Sequence, residues 1–244
     1  MELLEVQDVT VRFGGVTAVD GASLSVRGGA VTGLIGPNGA GKTTLFNVIS
    51  GLQAPQEGDV VLDGRNLRHV SPSGRSRAGI GRTFQRLEAF GSLSVRENVL
   101  VAIEIRQGLR WMRSTAQRAE ADRLLDQVGI GEYADQRADA VPTGVARLLE
   151  VARALATEPR LLLLDEPSSG LIESETERFG RLLRSLAEQG RAILIVEHDM
   201  GLVMSTCDYV HVLDFGSVIG GGTPAQIRED PRVQKAYLGT LDVS

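Results

Sequence analysis

The sequence contains a single cysteine, Cys207, and has no apolar run long enough to cross a membrane. One cysteine cannot form an internal disulfide, so we expect it to have a packing role in a reducing compartment. A membrane-spanning helix needs about 20 consecutive apolar residues, so we expect contact with a membrane only through a partner. The N-terminus also lacks the basic-then-apolar pattern of a secretory leader. Together these absences predict a cytoplasmic protein.

A positive charge excess is also missing. The formal net charge is −5 at pH 7, and no concentrated basic surface is evident. Both observations argue against nucleic-acid binding, because phosphate contacts need such a surface. No low-complexity segment, internal repeat or linker divides the chain. Its 244 residues exceed the ~100–200 residues of a common domain, so we expect one large α/β domain with a small satellite subdomain.

A Gly-rich stretch follows the apolar run at residues 30–35 and leads into a helix-like segment at residues 45–50. Its spacing, G-x-x-x-x-G-K-T, is typical of a loop whose backbone N–H groups surround phosphate oxygens at a helix N-terminus. Lys42 is expected to reach the β- and γ-phosphates, and Thr43 to offer its hydroxyl to Mg²⁺. The predicted nucleotide-binding residues here are Gly36, Pro37, Asn38, Gly39, Ala40, Gly41, Lys42, Thr43 and Thr44.

Two further apolar runs end in charged side chains. Residues 161–164 precede Asp165 and Glu166, and residues 192–196 end before the segment that contains His198. Short all-apolar runs indicate strands buried on both faces of a parallel sheet, and ligands bind at the carboxyl ends of such strands. We expect Asp165 to hold Mg²⁺ through water, Glu166 to polarise an attacking water and His198 to bond the γ-phosphate.

The rest of the chain shows two other patterns. Alternating apolar and polar residues at 3–13 and 21–26, with a strand-like run at 59–62, predict a small antiparallel β-layer. Helical periodicity at 95–105, 116–128 and 143–156 predicts a helical subdomain.

The sequence leaves two side chains with alternative interpretations. Phe13 lies before the phosphate loop and either stacks on an adenine ring or packs in the core. Gln85 ends a short strand-like run at residues 80–85 and is either an edge residue or a ligand. His69 and His211 have no setting like that of His198, and we expect both at the surface or in turns.

These motifs, in this order, resemble the ATP-binding subunits of ATP-binding cassette (ABC) transporters over essentially the whole chain. The resemblance implies that Phe13 stacks on adenine. It also implies that residues 36–44 form the Walker A loop and residues 161–165 the Walker B strand.

The same resemblance implies chemical roles. It assigns Glu166 as the catalytic glutamate, His198 as the switch histidine and Gln85 as a catalytic residue of the Q-loop. It also assigns Thr43, Gln85 and Asp165 as the Mg²⁺ ligands.

ATPases of this family work as head-to-tail dimers, with ATP held between the phosphate loop of one chain and the signature segment of the other. The resemblance therefore implies ATP and Mg²⁺ as cofactors. It implies as partners a second ABC ATPase subunit, integral membrane permeases and, for an importer, a substrate-binding protein. The chain is then expected at the inner face of the cell membrane.

Several segments resemble the subgroup that energises import of branched-chain amino acids: residues 12–15, 82–85 and 95–99, and the ending at residues 230–233 with 236–239. ATPases for urea and other substrates, and for lipopolysaccharide export, have related sequences. A weakly hydrolysing or regulatory subunit is a second interpretation. ABC ATPases of DNA repair or translation typically carry coiled-coil insertions or a second cassette, and this chain has neither.

The signature segment departs from the family pattern. Where the family usually has Leu-Ser-Gly-Gly-Gln, this chain has Val-Pro-Thr-Gly-Val at residues 141–145. Pro142 supplies neither a hydroxyl nor an N–H, which leaves Thr143 and Gly144 to act on the partner's ATP. We therefore expect a heterodimer with two unequal sites. Ile172 occupies the position where the family commonly has Asp or Asn. Since the isoleucine side chain has no polar group, the polar contact that the family makes across the dimer at this position is not expected here.

The predicted fold is the α/β fold of P-loop NTPases, of the ABC ATPase type. It combines a RecA-like parallel-sheet core, an antiparallel β-subdomain and a helical subdomain in a single domain, residues 1–244. We expect the ATP-binding core and β-layer at residues 1–85 and 157–244, and the helical subdomain with the signature segment at residues 86–156.

Overall fold

The computed structural model describes residues 1–83, 88–108 and 115–238, with only the backbone of residues 237 and 238. The strands are β1 (Glu2–Phe13), β2 (Val16–Arg27), β3 (Val31–Ile35), β4 (Glu57–Leu62), β5 (Arg65–Asn66), β6 (Ile80–Arg82), β7 (Leu161–Asp165), β8 (Ala192–Val196), β9 (Tyr209–Asp214) and β10 (Ser217–Gly222). The α-helices are α1 (Lys42–Ser50), α2 (Pro72–Arg77), α3 (Val95–Gln107), α4 (Thr115–Gln127), α5 (Thr143–Leu155), α6 (Glu173–Glu188), α7 (Met200–Thr206), α8 (Pro224–Glu229) and α9 (Pro231–Leu238). None of the helices in these ranges has the length and apolar character needed to span a membrane.

A six-stranded sheet in the order β10-β9-β3-β8-β7-β6 forms the centre of the fold. Its strands are parallel except β10, which runs antiparallel to β9. The two predicted buried strands are confirmed as β7 and β8, in which every residue is buried. Alternate residues of β7 face opposite sides: Leu162 and Leu164 pack with the helices, and Leu161 and Leu163 pack towards the β-layer. Burial on both faces explains the all-apolar sequence.

The predicted antiparallel layer is confirmed as a second sheet, ordered β2-β1-β4-β5. Its inner face and the inner face of α1 belong to one core cluster, which includes Leu4, Phe46 and Leu163. Helix α1 therefore lies between the two sheets.

Three predicted helices are confirmed as α3, α4 and α5, with ends within two residues of those expected. A reciprocal cap starts α3: Ser94 Oγ accepts from Glu97 N at 3.1 Å, and Glu97 Oε2 accepts from Ser94 N at 2.9 Å. Their apolar faces share one core cluster with α6 and the central sheet. The orientation of α5 is therefore fixed by the same packing that fixes the sheet.

The C-terminal end of α1 is held by a buried arginine that the sequence pattern did not reveal. Arg75 is 3% exposed, and its guanidinium donates to the carbonyls of Val48 (2.7 Å), Ile49 (2.8 Å) and Leu67 (2.7 Å). Burial lowers the pKa of Arg75. Carbonyls at a helix C-terminus lack intrahelical partners and favour a nearby cation, so Arg75 completes the last turn of α1.

One expectation for the histidines is wrong. His69 is exposed in a turn as expected, but His211 lies in β9 and is only 7% exposed. Its Nε2 is 2.9 Å from Ser25 O of β2, and its ring is 4.9 Å from the ring of Tyr209. The histidine thus connects the two sheets, and this contact between distant segments could not be inferred from its sequence neighbours.

We predict that His211 makes stability depend on pH below neutrality. Burial lowers the pKa of His211, against smaller raising effects of the Ser25 hydrogen bond and of Glu2. The unfolded chain therefore takes up this proton at about pH 6.5, while the folded chain does so only at lower pH. Above about pH 6.5, His211 is neutral in both states and the free energy of unfolding is unaffected by its titration. Below that pH, the free energy of unfolding falls by at most about 1.4 kcal/mol per pH unit.

The measurement is urea unfolding between pH 7.5 and 5 for the parent and for His211→Gln, which should show a shallower decline. His69→Gln is the matched control and should decline like the parent. Equal slopes for the parent and His211→Gln would contradict the prediction.

Candidate functional site

The carboxyl ends of three neighbouring strands, β3, β8 and β7, meet at one edge of the central sheet. Register pairs Leu34 with Val196, and Val196 with Asp165. The phosphate loop follows β3, Glu166 follows β7, and His198 follows β8. Strand order therefore brings together the predicted residues, although up to 162 positions separate them.

The phosphate loop is held closely against two other strands by its glycines. Gly36 (φ 155°) is so close to β9 that a Cβ there would lie 2.0 Å from Leu213 O. Gly41 (φ 102°) precedes α1, and a Cβ there would lie 2.3 Å from Ala18 O of β2. Any larger residue at either position would displace the loop.

The tip of the loop is open to solvent, and its flanks are packed. Asn38, Gly39 and Thr43 are exposed, whereas Gly36, Ala40 and Lys42 are buried; Pro37, Gly41 and Thr44 are intermediate. The first backbone N–H groups of α1 have no intrahelical partner. The open tip and this helix N-terminus form a suitable anion site.

Lys42 lies across the base of the loop. Its Nζ donates to Gly36 O at 2.7 Å and Pro37 O at 2.9 Å. Burial lowers the pKa of Lys42, while the nearby carboxylates of Glu166 and Asp165 raise it. The ammonium is therefore bound to the loop backbone and feels the charge of the two acids.

Asp165 is buried, with 1% exposure. Thr83 Oγ1 accepts from its N–H at 3.2 Å, and its Oδ2 is 3.4 Å from Arg82 Nη2. Its Oδ1 has no hydrogen-bond partner within the residues that the structure describes. A buried carboxylate oxygen in this state is costly unless water or a cation binds it. With the exposed Thr43 hydroxyl, it fits the oxygen donors that Mg²⁺ prefers.

Burial raises the pKa of Asp165, and the charge of Glu166 raises it further. Arg82 and Lys42 oppose this rise. The two cations thus favour the ionised carboxylate that a metal ligand needs.

Glu166 and His198 form a direct pair, with Glu166 Oε1 at 2.9 Å from His198 Nε2. Glu166 has a positive φ of 50°, an uncommon conformation for a residue other than glycine. Its backbone N–H donates to Val196 O at 2.9 Å, which fixes the turn to the neighbouring strand. The pair is partly exposed, at 25% for the Glu166 side chain and 43% for that of His198, so water can reach both groups.

Glu197 organises the backbone around this pair, a role that the sequence did not indicate. Its buried carboxylate accepts from Ser168 N at 2.8 Å and from His198 N at 3.1 Å. It thereby ties the loop after β7 to the loop after β8. The sequence shows that Glu197 follows an apolar run, but it does not predict that the Glu197 carboxylate is buried.

Phe13 ends β1 and is 51% exposed. The interpretation of Phe13 as a core residue is therefore wrong. Its exposed aromatic ring, at the β1–β2 turn, remains available for stacking. Cys207 is buried as expected, and burial raises the pKa of its thiol to about 12. Gln85 lies outside the described residues.

The altered signature segment forms the start of α5. Pro142 and Thr143 are exposed, and Gly144 is buried against the loop after β7. A Cβ on Gly144 would lie 3.0 Å from Leu171 Cδ2 and 3.5 Å from Gly170 O. The Thr143 side chain lies against the same loop, since a Cβ on Gly170 would lie 3.2 Å from Thr143 Cγ2. The start of α5 is therefore closely packed on the loop after β7.

A cavity of about 280 Å³ opens between the end of α1, β6, α3 and α5. Exposed apolar side chains at its rim include Leu52 and Ile105. The adjacent segment 88–90 is held from two sides, because Glu150 Oε1 accepts from Glu88 N at 2.8 Å and Arg153 Nη1 donates to Glu88 O at 2.8 Å. The rim is thus tied rigidly to α5, the helix that carries the signature segment.

Comparison with known proteins agrees with this geometry. A family model described as "ABC transporter" matches residues 19–169, and one described as "Branched-chain amino acid ATP-binding cassette transporter" matches residues 217–242. The ATP-binding protein BraF of Pseudomonas aeruginosa, named for high-affinity branched-chain amino acid transport, is 40% identical, with 97% of this chain and 98% of BraF covered.

Two solved structures are also similar. The ADP conformation of MJ1267, an ATP-binding cassette of an ABC transporter, has a TM-score of 0.88 and 31% identity, covering 98% of this chain and 99% of that one. The dimeric bacterial cassette MJ0796 has a TM-score of 0.83 and 25% identity, covering 91% and 99%.

The phosphate loop, the acid pair after β7 and the histidine after β8 occupy one sheet edge, and both the sequence and the fold match the same family over nearly the whole chain. The chain belongs to the ABC transporter family, as an ATP-binding subunit with ATPase activity.

Proposed function

We propose that this ATPase energises an importer of branched-chain amino acids. The observation that carries the catalytic part is the contact between Glu166 and His198, 2.9 Å apart beside Lys42 and Asp165. The substrate class is supported by the similarity to BraF and by the C-terminal match at residues 217–242.

In the proposed binding mode, the triphosphate lies along the backbone N–H groups of residues 36–44, at the positive end of the α1 dipole. Lys42 exchanges its bonds to the Gly36 and Pro37 carbonyls for charge-assisted bonds to the β- and γ-phosphates, which are stronger. Phe13 stacks on the adenine. Thr43, Asp165 and Gln85 would hold Mg²⁺, which would supply charge neutralisation of the phosphates.

Hydrolysis then uses the pair at the sheet edge. Glu166 Oε1 accepts the proton of the attacking water as general base. His198 Nε2 contacts that carboxylate before ATP binds, and its single N–H can then turn to the γ-phosphate.

We expect Glu166→Gln to retain binding of Mg-ATP while hydrolysis falls by about 10²–10⁴-fold, the usual loss without a general base. The amide keeps the shape and can still contact His198. Single-turnover hydrolysis and nucleotide titration of the purified chain measure the two effects. Near-normal hydrolysis would exclude Glu166 as the base.

Two variants sharpen this experiment. Glu188→Gln, at the exposed end of α6, should behave like the parent. Lys42→Ala should instead lose affinity for ATP, because the charge-assisted phosphate contact disappears.

The membrane partners are proposed to dock at the cavity between β6, α3 and α5. Its exposed apolar rim, with Phe90 at 47% exposure beside it, suits a short amphipathic helix of a permease. Docking there places the subunit peripherally at the inner face of the cell membrane. A substrate-binding protein completes an importer, and nucleic acid has no role.

We expect Phe90→Asp to weaken assembly with the permeases by about tenfold or more, as for loss of an interface anchor. The fold should survive, since the Phe90 backbone is held by Asn98 through bonds of 2.8 and 3.1 Å. Co-purification with the permeases measures assembly. Phe90→Leu is the control and should assemble normally. Assembly of Phe90→Asp at the parent level would contradict the docking site.

A head-to-tail heterodimer is proposed as the working form. Thr143 and Gly144 at the start of α5 face the ATP of a second ABC ATPase subunit. Pro142 supplies neither a hydroxyl nor an N–H to that phosphate, so the site completed by this chain is weakened. The site built on Lys42, Glu166 and His198 borrows its signature from the partner and is intact if the partner has the common motif.

We therefore expect low ATPase activity of the chain alone and a rise of about tenfold or more with a homologous partner, since a lost hydrogen bond to a charged group costs roughly 1.5–3 kcal/mol. In the assembled transporter, Glu166→Gln should cause a larger loss than the equivalent change in the partner. Equal losses from the two glutamates would rule out unequal sites.

A further inference from the structure

Arg82 connects two parts of the site that the nucleotide motifs do not link. It ends β6, and only 7% of its side chain is exposed. Its Nη1 donates to Asn47 Oδ1 at 2.7 Å and to Ser50 Oγ at 2.8 Å, both on the last two turns of α1. Its Nη2 approaches Asp165 Oδ2 at 3.4 Å.

The guanidinium is fixed by more than one contact. Its Nε donates to Thr83 O at 3.3 Å, and its Cζ lies 5.7 Å from the centre of the Phe46 ring. Because a guanidinium is a rigid planar fork, anchoring on α1 sets the direction in which Nη2 points. Nη2 then selects which oxygen of Asp165 it contacts.

The two oxygens of Asp165 are therefore unequal. Oδ2 faces Arg82, and Oδ1 is buried without a hydrogen-bond partner in the part of the chain that the structure describes. The backbone N–H of Asp165 donates to Thr83 Oγ1 at 3.2 Å, so the end of β6 holds both the main chain and the side chain of this residue. This arrangement presents one defined oxygen to a cation.

We propose that Arg82 is a positioning residue that orients Asp165 for Mg²⁺. The inference rests on the proposed nucleotide and metal site. A neighbouring cation also repels Mg²⁺, so charge and orientation act in opposite directions. Loss of the side chain should weaken metal binding if orientation dominates, and strengthen it if charge dominates.

Arg82→Lys and Arg82→Gln separate these effects. Lysine retains the charge but cannot reach Asn47, Ser50 and Asp165 together, and glutamine removes the charge. We expect both variants to lower the Mg²⁺ affinity of the nucleotide-bound chain by about 10–100-fold, as for loss of a group that orients a metal ligand. Asn47→Ala removes an anchor of Arg82 without touching Asp165 and should cause a smaller loss.

Arg75→Lys is the matched control. Arg75 is also buried, also holds the end of α1 and lines the same cavity as Arg82, but it has no bond to Asp165 among the described contacts. Its replacement should lower the unfolding temperature without changing Mg²⁺ affinity.

The measurement is the affinity of the purified full-length chain for a fluorescent ATP analogue, at a series of free Mg²⁺ concentrations and in EDTA. For Arg82→Lys we expect near-parent affinity in EDTA and loss of the enhancement by Mg²⁺. A purely structural role would lower affinity in both conditions, and unchanged or stronger enhancement would also overturn the proposal. Absence of binding by the parent chain in both conditions would instead contradict the nucleotide site itself.

Discussion

The close approach of two glycines to backbone carbonyls is the constraint on which the rest of the site depends. Gly36 lies against Leu213 O of β9 and Gly41 against Ala18 O of β2, at distances that leave no space for a Cβ. One glycine fixes the loop to the central sheet and the other fixes it to the β-layer. The orientation of α1, and hence of the N–H groups that face an anion, follows from these two contacts.

The C-terminal end of α1 is also held in place, here by side chains instead of glycine contacts. Two buried arginines bind the last turns of α1, Arg75 through carbonyls and Arg82 through Asn47 and Ser50. Both side chains are largely withdrawn from water, and this burial lowers the pKa of each arginine. Such groups persist only when hydrogen bonds replace the lost water. The helix is thereby fixed at both ends.

Sequence alone predicted the parts of this structure that repeat with a regular period or lie within one short segment. The buried strands β7 and β8, the antiparallel layer and the helices α3 to α5 follow from local periodicity. The sheet edge follows as well, because the carboxyl ends of parallel strands meet at one edge.

The parts that sequence did not predict are pairings between distant segments. His211 bonds Ser25, Arg82 bonds Asp165, and Glu197 bonds Ser168. In each case, burial depends on a partner far away in the chain, so neighbouring residues carry no signal. Phe13 was undecided for a similar reason, since its exposure depends on what lies beside the β1–β2 turn.

The altered signature segment illustrates how packing and function can be separated within five residues. A small residue at position 144 is favoured by the packing of this chain itself, because a Cβ there would lie 3.0 Å from Leu171 Cδ2, which would have to shift. Its presence therefore does not indicate a working phosphate contact. Pro142 is exposed and is the residue immediately before α5, where a missing N–H costs no intrahelical hydrogen bond. The departure from the family pattern at position 142 is therefore compatible with the fold around α5, and what it changes is chemical, because proline offers neither an N–H nor a hydroxyl.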